Sequence, residues 1–151
     1  MKKLSVLLGA LLLSALPAIA DDLVYLECES KIVVTTKDLK SNQITKREET
    51  TETTHNKIDL ANSRTASAKD PEWEEVKIVE GVIIEDDEFT ENGFDISIKG
   101  SWQIVPPGRF TGDGLFIDDT TSTTFTIRGI CKASDASAFE KALKEAKSRF
   151  R

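Results

Sequence analysis

The two cysteines of this chain constrain its fold more than any other residues. Cys28 and Cys131 lie near opposite ends of the 151 residues. Neither belongs to a Cys-x-x-Cys pair or lies near the one histidine, which disfavours a metal site or a reactive thiol. A disulfide between them closes a loop of about 100 residues, which destabilises the unfolded chain by roughly 4 to 5 kcal/mol on the chain-entropy model. The segments that carry the two cysteines are then neighbours in the fold.

The first twenty residues predict that both cysteines reach an oxidising compartment. Lys2 and Lys3 form a positive start, residues 4–16 are mostly apolar, and Ala18-Ile19-Ala20 resembles a signal-peptidase site. The apolar run is shorter than the roughly 20 residues that a membrane-spanning helix needs. We therefore expect a cleaved signal over residues 1–20 and a single β-rich periplasmic or secreted domain over residues 21–151, without a transmembrane segment.

The charge of the mature domain excludes one class of partner. The whole chain has 20 basic and 26 acidic residues, giving a net charge of −6, and loss of Lys2 and Lys3 makes the charge −8. Binding to nucleic acid depends on an excess of lysine and arginine that neutralises phosphates. We expect no nucleic-acid partner.

Alternating apolar residues predict a mainly β domain. The alternation runs through residues 24–34, 94–104 and 123–131, and Asn92-Gly93 is typical of a hairpin turn. The two cysteines therefore lie on the first and the last predicted strands. We expect a small antiparallel β-barrel or β-sandwich of about eight short strands, and the disulfide between terminal strands favours the barrel.

Several polar segments are harder to assign. The threonines of residues 44–55 favour an edge strand with a charged solvent face, and a disordered linker is the alternative because this segment has little to bury. Residues 61–71 predict a loop, and the acidic residues 85–88 predict a solvated turn. Gly100 is the expected place for a bulge or bend in its strand.

The last segment changes from strand to helix periodicity. Phe139, Leu143 and Ala146 recur at helical spacing after Ser134 and Asp135, either of which can cap a helix. We expect an amphipathic helix over residues 136–150 that covers one face or open end of the sheet. Docking of its apolar stripe on a partner is the alternative.

Common catalytic motifs are absent from the sequence. The nucleophile elbow, the P-loop, the dinucleotide fingerprint and the zinc-protease motif are all missing, and we expect His55 to be a solvated surface residue. Carboxylates are the remaining catalytic material, and Asp113, Asp118 and Asp119 are candidates for a calcium site or for the acids of a hydrolase. We expect no cofactor, and an enzyme is the alternative.

Aromatic residues supply the candidates for binding. Trp102 continues the apolar face of its strand and is expected in the core, whereas Trp73 lies among glutamates outside any apolar period. Arg109 and Phe110 follow Pro107-Gly108 on an expected turn. We therefore expect a non-catalytic exported module that binds an envelope protein or glycan, with Trp73, Arg109 and Phe110 as candidate contacts. Carriage of a small ligand or lipid inside the barrel is a further alternative.

Three segments resemble a group of small exported proteins from marine cyanobacteria. They are Lys69-Asp70-Pro71-Glu72-Trp73, Pro106-Pro107-Gly108-Arg109-Phe110-Thr111-Gly112, and Cys131 followed by Asp135-Ala136-Ser137-Ala138-Phe139-Glu140. The resemblance covers most of the mature chain. It implies export and a shared fold but no activity, because that group has no known activity.

The segment Tyr25-Leu26-Glu27-Cys28 is similar to the opening of periplasmic inhibitors of c-type lysozyme. Those proteins are small antiparallel barrels closed by a disulfide. The similarity spans a few residues only, and it assigns no inhibitory loop or site residue to this chain.

Overall fold

One antiparallel sheet closes almost completely into a barrel, and the first and last strands are joined by the Cys28–Cys131 disulfide. The computed structural model describes residues 23–149, so the predicted signal over residues 1–20 lies outside the described part. The strands are β1 (Leu23–Asp38), β2 (Ile44–Asp59), β3 (Arg64–Ser67), β4 (Glu74–Glu75), β5 (Lys77–Val79), β6 (Val82–Glu91), β7 (Phe94–Ile104), β8 (Pro107–Ile117) and β9 (Thr121–Ala133), followed by the helix α1 (Ala136–Arg149).

The strand order explains how the sheet closes. The order is β4-β3-β2-β1-β9-β8-β7-β6-β5, so β4 and β5 form the two ends of the sheet although Val76 alone separates them in the chain. The Val76 amide also donates a hydrogen bond of 2.9 Å to the Ser63 carbonyl at the β2–β3 turn. The chain itself therefore joins the two ends of the sheet and forms a seam.

The barrel is closed at one end and open at the other. Within β2, only Asn56–Asp59 pair with the short β3, and β5 pairs only with Val82–Ile84 of β6. Among the described strands, residues 44–55 pair only with β1 and residues 85–91 pair only with β7, so each segment has one unpaired edge. The prediction of an edge strand over residues 44–55 is therefore confirmed, because this segment pairs with β1 along its length on its other side.

Of the two predicted architectures the structure shows the favoured barrel, and the predicted C-terminal helix is confirmed. The nine strands of the described residues agree with the expected number of about eight, but the expectation of short strands was wrong, because β1 and β2 have 16 residues each. The expected loop over residues 61–71 contains β3, which pairs with the end of β2.

Pairing with a neighbouring strand also overrides two predicted turns. The acidic residues 85–88 lie within β6, opposite Ser97–Gly100 of β7, and Arg109 and Phe110 lie within β8, opposite β9. The register of β7 is regular at Gly100 and shifts between Trp102 and Ile104. These corrections follow from cross-strand hydrogen bonds, which outweigh the intrinsic preferences of charged and glycine residues.

The hydrophobic core lies at the closed end. Leu26, Ile58 and Ile104 are fully buried there, and Ile83 and both cysteines are nearly so. Trp102 is half-buried against this cluster, and its indole N–H donates to Cys131 Sγ at 3.0 Å. The disulfide therefore belongs to the apolar core and carries a polar contact on the inner side of the sheet.

The helix α1 covers the outer side of the barrel. The Asp135 carboxylate caps it by accepting the Ala138 amide at 2.8 Å. Phe139 is 2% exposed and packs on Tyr25, with 6.0 Å between the ring centroids. Within residues 23–149, no helix has the length and apolar character required to cross a bilayer.

Loss of the disulfide should weaken the fold strongly. The cysteines are 103 residues apart, and we expect the double change Cys28→Ala/Cys131→Ala to lower the free energy of unfolding by about 3 to 5 kcal/mol. Urea unfolding of both proteins, followed by tryptophan fluorescence, measures the difference. Wild-type protein under a reductant should show a similar loss, and a loss below about 1 kcal/mol in both cases would contradict the constraint.

Two glycines on the inner side of β8 should respond in opposite ways to alanine. A Cβ on Gly114 would overlap the ring of Phe125 across the strand pair, whereas a Cβ on Gly112 would lie 3.9 Å from Ile127. We expect Gly114→Ala to cost about 1 to 3 kcal/mol of unfolding free energy. The matched Gly112→Ala change should stay within about 1 kcal/mol of wild type in the same urea titration, because the added methyl group meets no overlap.

Candidate functional site

A cavity of about 150 Å³ lies on the inner side of the sheet, next to the disulfide. The alternation of β1 places Cys28 and Ser30 on this side, and the register brings Thr54 and Glu52 of β2 opposite them. Residues from five strands form the lining: Cys28, Ser30, Glu52, Thr54, Asn56, Trp102, Phe110 and Ile127.

The wall formed by β1 and β2 is polar. Ser30 is 4% exposed, and its hydroxyl forms no hydrogen bond with any side chain or backbone group of residues 23–149. No buried side-chain oxygen or nitrogen in the described part is both sealed from solvent and unpaired, so this hydroxyl opens on the cavity. Water can bond to this hydroxyl from the cavity, and a polar ligand atom can take the place of that water.

Asn56 adds a second polar group to this wall. It is 8% exposed, and its amide nitrogen donates to Thr54 Oγ1 at 3.1 Å and to Cys28 Sγ at 3.7 Å. No donor within residues 23–149 reaches its amide oxygen. The Asn56 oxygen is therefore available as a second acceptor in the lining of the cavity.

The opposite wall is aromatic. Trp102 and Phe110 are directly paired on β7 and β8, with 5.7 Å between their ring centroids. Because the Trp102 N–H is already bonded to Cys131, the tryptophan offers the cavity its carbon surface. Phe110, a predicted binding residue, thus lines the cavity, whereas Arg109 next to it is exposed on the outer side of β8.

The inner side of the sheet also has carboxylates from β2 and β6. Glu52 lines the cavity and forms an ion pair with Lys69, which follows β3. On β6, the Glu85 carboxylate lies 3.5 Å from the point that a Cβ on Gly100 would occupy. Partial burial raises the pKa of Glu85, and the negative charges of Asp87 and Glu74 raise it further. This rim of the inner side therefore has a negative potential.

Toward the open end the inner side becomes apolar. Half-buried side chains from β1, β7, β8 and β9 continue the surface beyond the cavity, and Phe116 and Phe125 pack with 5.7 Å between their ring centroids. These side chains are Ile32, Val34, Ile96, Ile98, Phe116 and Phe125.

Trp73, another predicted binding residue, lies outside the barrel. Lys57 Nζ stands 4.5 Å from its ring centroid, and the Arg64 guanidinium carbon stands 4.6 Å from it. Lys57 also lies 5.1 Å from the ring of Phe139 on α1. These cation–π contacts tie the seam to the helix, so the structure separates Trp73 from the cavity and gives it a packing role.

The three predicted calcium candidates do not converge. Asp113 forms two short contacts with Arg128, at 2.7 and 3.0 Å, and Asp118 accepts the Thr120 and Thr121 amides. Asp119 is exposed on the same turn. Within residues 23–149, no three His, Cys, Asp or Glu side chains are grouped as metal ligands.

Hydrogen bonds from Thr120 and Thr121 lower the pKa of Asp118 to about 2. A general acid works best with a pKa near the operating pH, so this carboxylate is poorly suited to acid catalysis near neutrality. Its partners give it a structural role at the β8–β9 turn. The hydrolase hypothesis therefore receives no support at this residue.

No protein-family profile, curated protein or solved structure matches this chain.

The sequence pattern did not reveal the cavity residues of β2 because both sides of residues 44–55 are polar. Glu52, Thr54 and Asn56 are identified only by their pairing with inward-facing residues of β1. The pattern of hydropathy along the sequence gives no information about that pairing. His55 lies between Thr54 and Asn56 on the outer side, where its Nε2 is 3.7 Å from Glu27.

The charge of Asp118 should make stability depend on pH in the acid range. Its folded-state pKa of about 2 lies below the ordinary 3.8, so it stabilises the fold fully above pH 4 and loses this effect as the pH falls through 2. We expect wild type to exceed Asp118→Asn in stability at pH 6 and the difference to shrink between pH 4 and 2.

Urea unfolding at pH 2, 3, 4 and 6 measures this difference. Asp119→Asn is the matched control on the same turn and should follow the wild-type pH profile. A constant difference between wild type and Asp118→Asn across these pH values would refute the assigned role.

Proposed function

We propose that the mature chain is a non-catalytic exported binding module that receives one group of an envelope protein or glycan in its inner cavity. The observation that carries this proposal is the Ser30 hydroxyl, which has no hydrogen-bond partner within residues 23–149 and is accessible only from the cavity side of a residue that is 4% exposed. An aromatic wall that faces convergent polar groups is the usual composition of a binding pocket. The disulfide, together with the pattern of residues 1–20, supports export.

The size of the cavity favours recognition of part of a larger partner over carriage of a whole molecule. Its volume of about 150 Å³ is below the roughly 300 to 1,000 Å³ of pockets for drug-sized ligands. A lipid chain would need more enclosed space than this. A single side chain or sugar substituent is a better match, and the half-buried apolar surface toward the open end, including Ile32 and Phe125, would contact the rest of the partner.

Filling the cavity should abolish this binding. Ser30→Leu places an apolar side chain in the cavity, whereas Thr51→Leu adds a similar side chain on the exposed outer side of β2. Immobilised wild type and Thr51→Leu should retain the same partner from a cell-envelope fraction, and Ser30→Leu should lose it by at least tenfold. Circular dichroism and a thiol assay verify that each variant is folded and has its disulfide.

Thr54→Leu provides a second way to fill the cavity, because Thr54 also lines it. Retention of the same proteins or glycans by wild type and by both filled variants would refute a binding role for the cavity. Retention of nothing by wild type at low and at moderate ionic strength would refute the binding function itself.

A further inference from the structure

The inner side of the sheet has more negative than positive charge. Five carboxylates of β2 and β6 fall on this side by strand alternation, and the basic residues near them are Lys46 and Lys69. Lys46 pairs with Glu48 at 3.1 Å, and Lys69 reaches Glu52 from the loop after β3. The carboxylates are Glu48, Glu52, Glu85, Asp87 and Glu91.

The polar groups that line the cavity include two that only accept hydrogen bonds, the Asn56 oxygen and the Glu52 carboxylate. The hydroxyls of Ser30 and Thr54 can accept as well as donate. The rings of Trp102 and Phe110 form the other wall, and an aromatic face attracts a cation. A group with several N–H donors and a positive charge is complementary to both walls.

The chain itself shows that an ammonium group is accommodated at Glu52. Lys69 Nζ contacts Glu52 Oε2, while 57% of the Lys69 side chain and 31% of the Glu52 side chain remain exposed. A second cation would therefore compete with Lys69 for this carboxylate. Removal of Lys69 should therefore strengthen the binding of a cationic ligand, and loss of structure would not produce a stronger binding.

We propose that the cavity receives the terminal cation of a lysine or arginine side chain presented by a basic partner polypeptide. This inference rests on the proposed binding function and names the group that enters. An alkyl stem followed by an ammonium or guanidinium group matches an apolar approach past Ile32 and Phe125 that ends at Ser30 and Glu52. The net charge of −8 that is expected for the mature domain also attracts a basic partner over a longer range.

The first test uses the tripeptide acetyl-Ala-Lys-Ala-amide and its norleucine counterpart, which keeps the alkyl stem without the charge. Titration of the mature protein is followed by NMR at the Asn56 side-chain amide and the Trp102 indole. We expect saturable shifts with the lysine peptide and at least tenfold weaker binding of the norleucine peptide. Equal affinities, or no shift at these groups with the lysine peptide, would overturn the cation assignment.

Two substitutions with opposite expected effects identify the anion. Glu52→Gln should weaken lysine-peptide binding about fivefold, and Lys69→Gln should strengthen it by a similar factor because the competing cation is removed. Lys31→Gln is the matched control, since Lys31 pairs with Glu49 on the outer side, 2.7 Å away. Unchanged or weaker binding by Lys69→Gln would overturn the role of Glu52. Glu85→Gln, an exposed change in the rim, should also weaken binding and tests the rim if Glu52→Gln does not fold.

The same titration distinguishes a polypeptide from a free amine. We expect n-butylammonium to bind at least fivefold more weakly than the lysine peptide, and equal affinity would overturn the polypeptide source. Failure of the cation assignment is separable from failure of the proposed function. If Ser30→Leu still loses the envelope partner while lysine and norleucine peptides bind equally, the binding module stands and the cation does not.

Discussion

The pairing of β1 with β9 is the constraint on which the rest of the structure depends. Every other strand pair in the described sheet joins neighbours along the chain, so β1–β4 and β5–β9 are two meanders, each built from local hairpins. Only the β1–β9 ladder brings the two meanders into one sheet, and Cys28 lies directly opposite Cys131 within that ladder. The pairing of β1 with β9 closes the longest loop of the chain and therefore loses the most conformational entropy. The disulfide fixes this pairing covalently, so that hydrogen bonds alone do not have to offset that loss.

The disulfide also links the stability of the fold to the candidate site. Both sulfurs accept hydrogen bonds from the inner side, one from the Trp102 indole and one from the Asn56 amide. These contacts orient an aromatic and a polar residue that line the cavity. A pocket with preorganised walls loses little conformational entropy when it binds. The barrel fold alone does not specify a function, and the functional proposal therefore depends on these particular side chains.

The sequence predicted those elements whose two sides differ in polarity. Residues 94–104 alternate Phe, Ile and Trp with polar residues, and β7 has the same bounds. Residues 85–88 are uniformly acidic, so their strand was invisible until the β7 partner was known. The same limit applies to the site. Trp73 was predicted as a binding residue because it does not belong to an alternating apolar pattern. In the structure its ring forms cation–π contacts with Lys57 and Arg64. Glu52 and Thr54 were hidden in a segment that is polar on both sides.

The seam at Val76 and the Cys28–Cys131 bond together restrict the register of the strands in the barrel. A slip of one residue in a strand exchanges its inner and outer sides. Since β4 and β5 are separated only by Val76 and β1 and β9 are bonded through sulfur, neither junction between the two meanders permits such a slip. The parity of the residue number therefore determines which side chains point inward. Even numbers point inward on β1 and β2, and odd numbers do so on β6 and β9. A one-residue insertion at Val76 would have to be absorbed at the seam, because the disulfide and the β1–β2 pairing hold the polar residues of the cavity on the inner side.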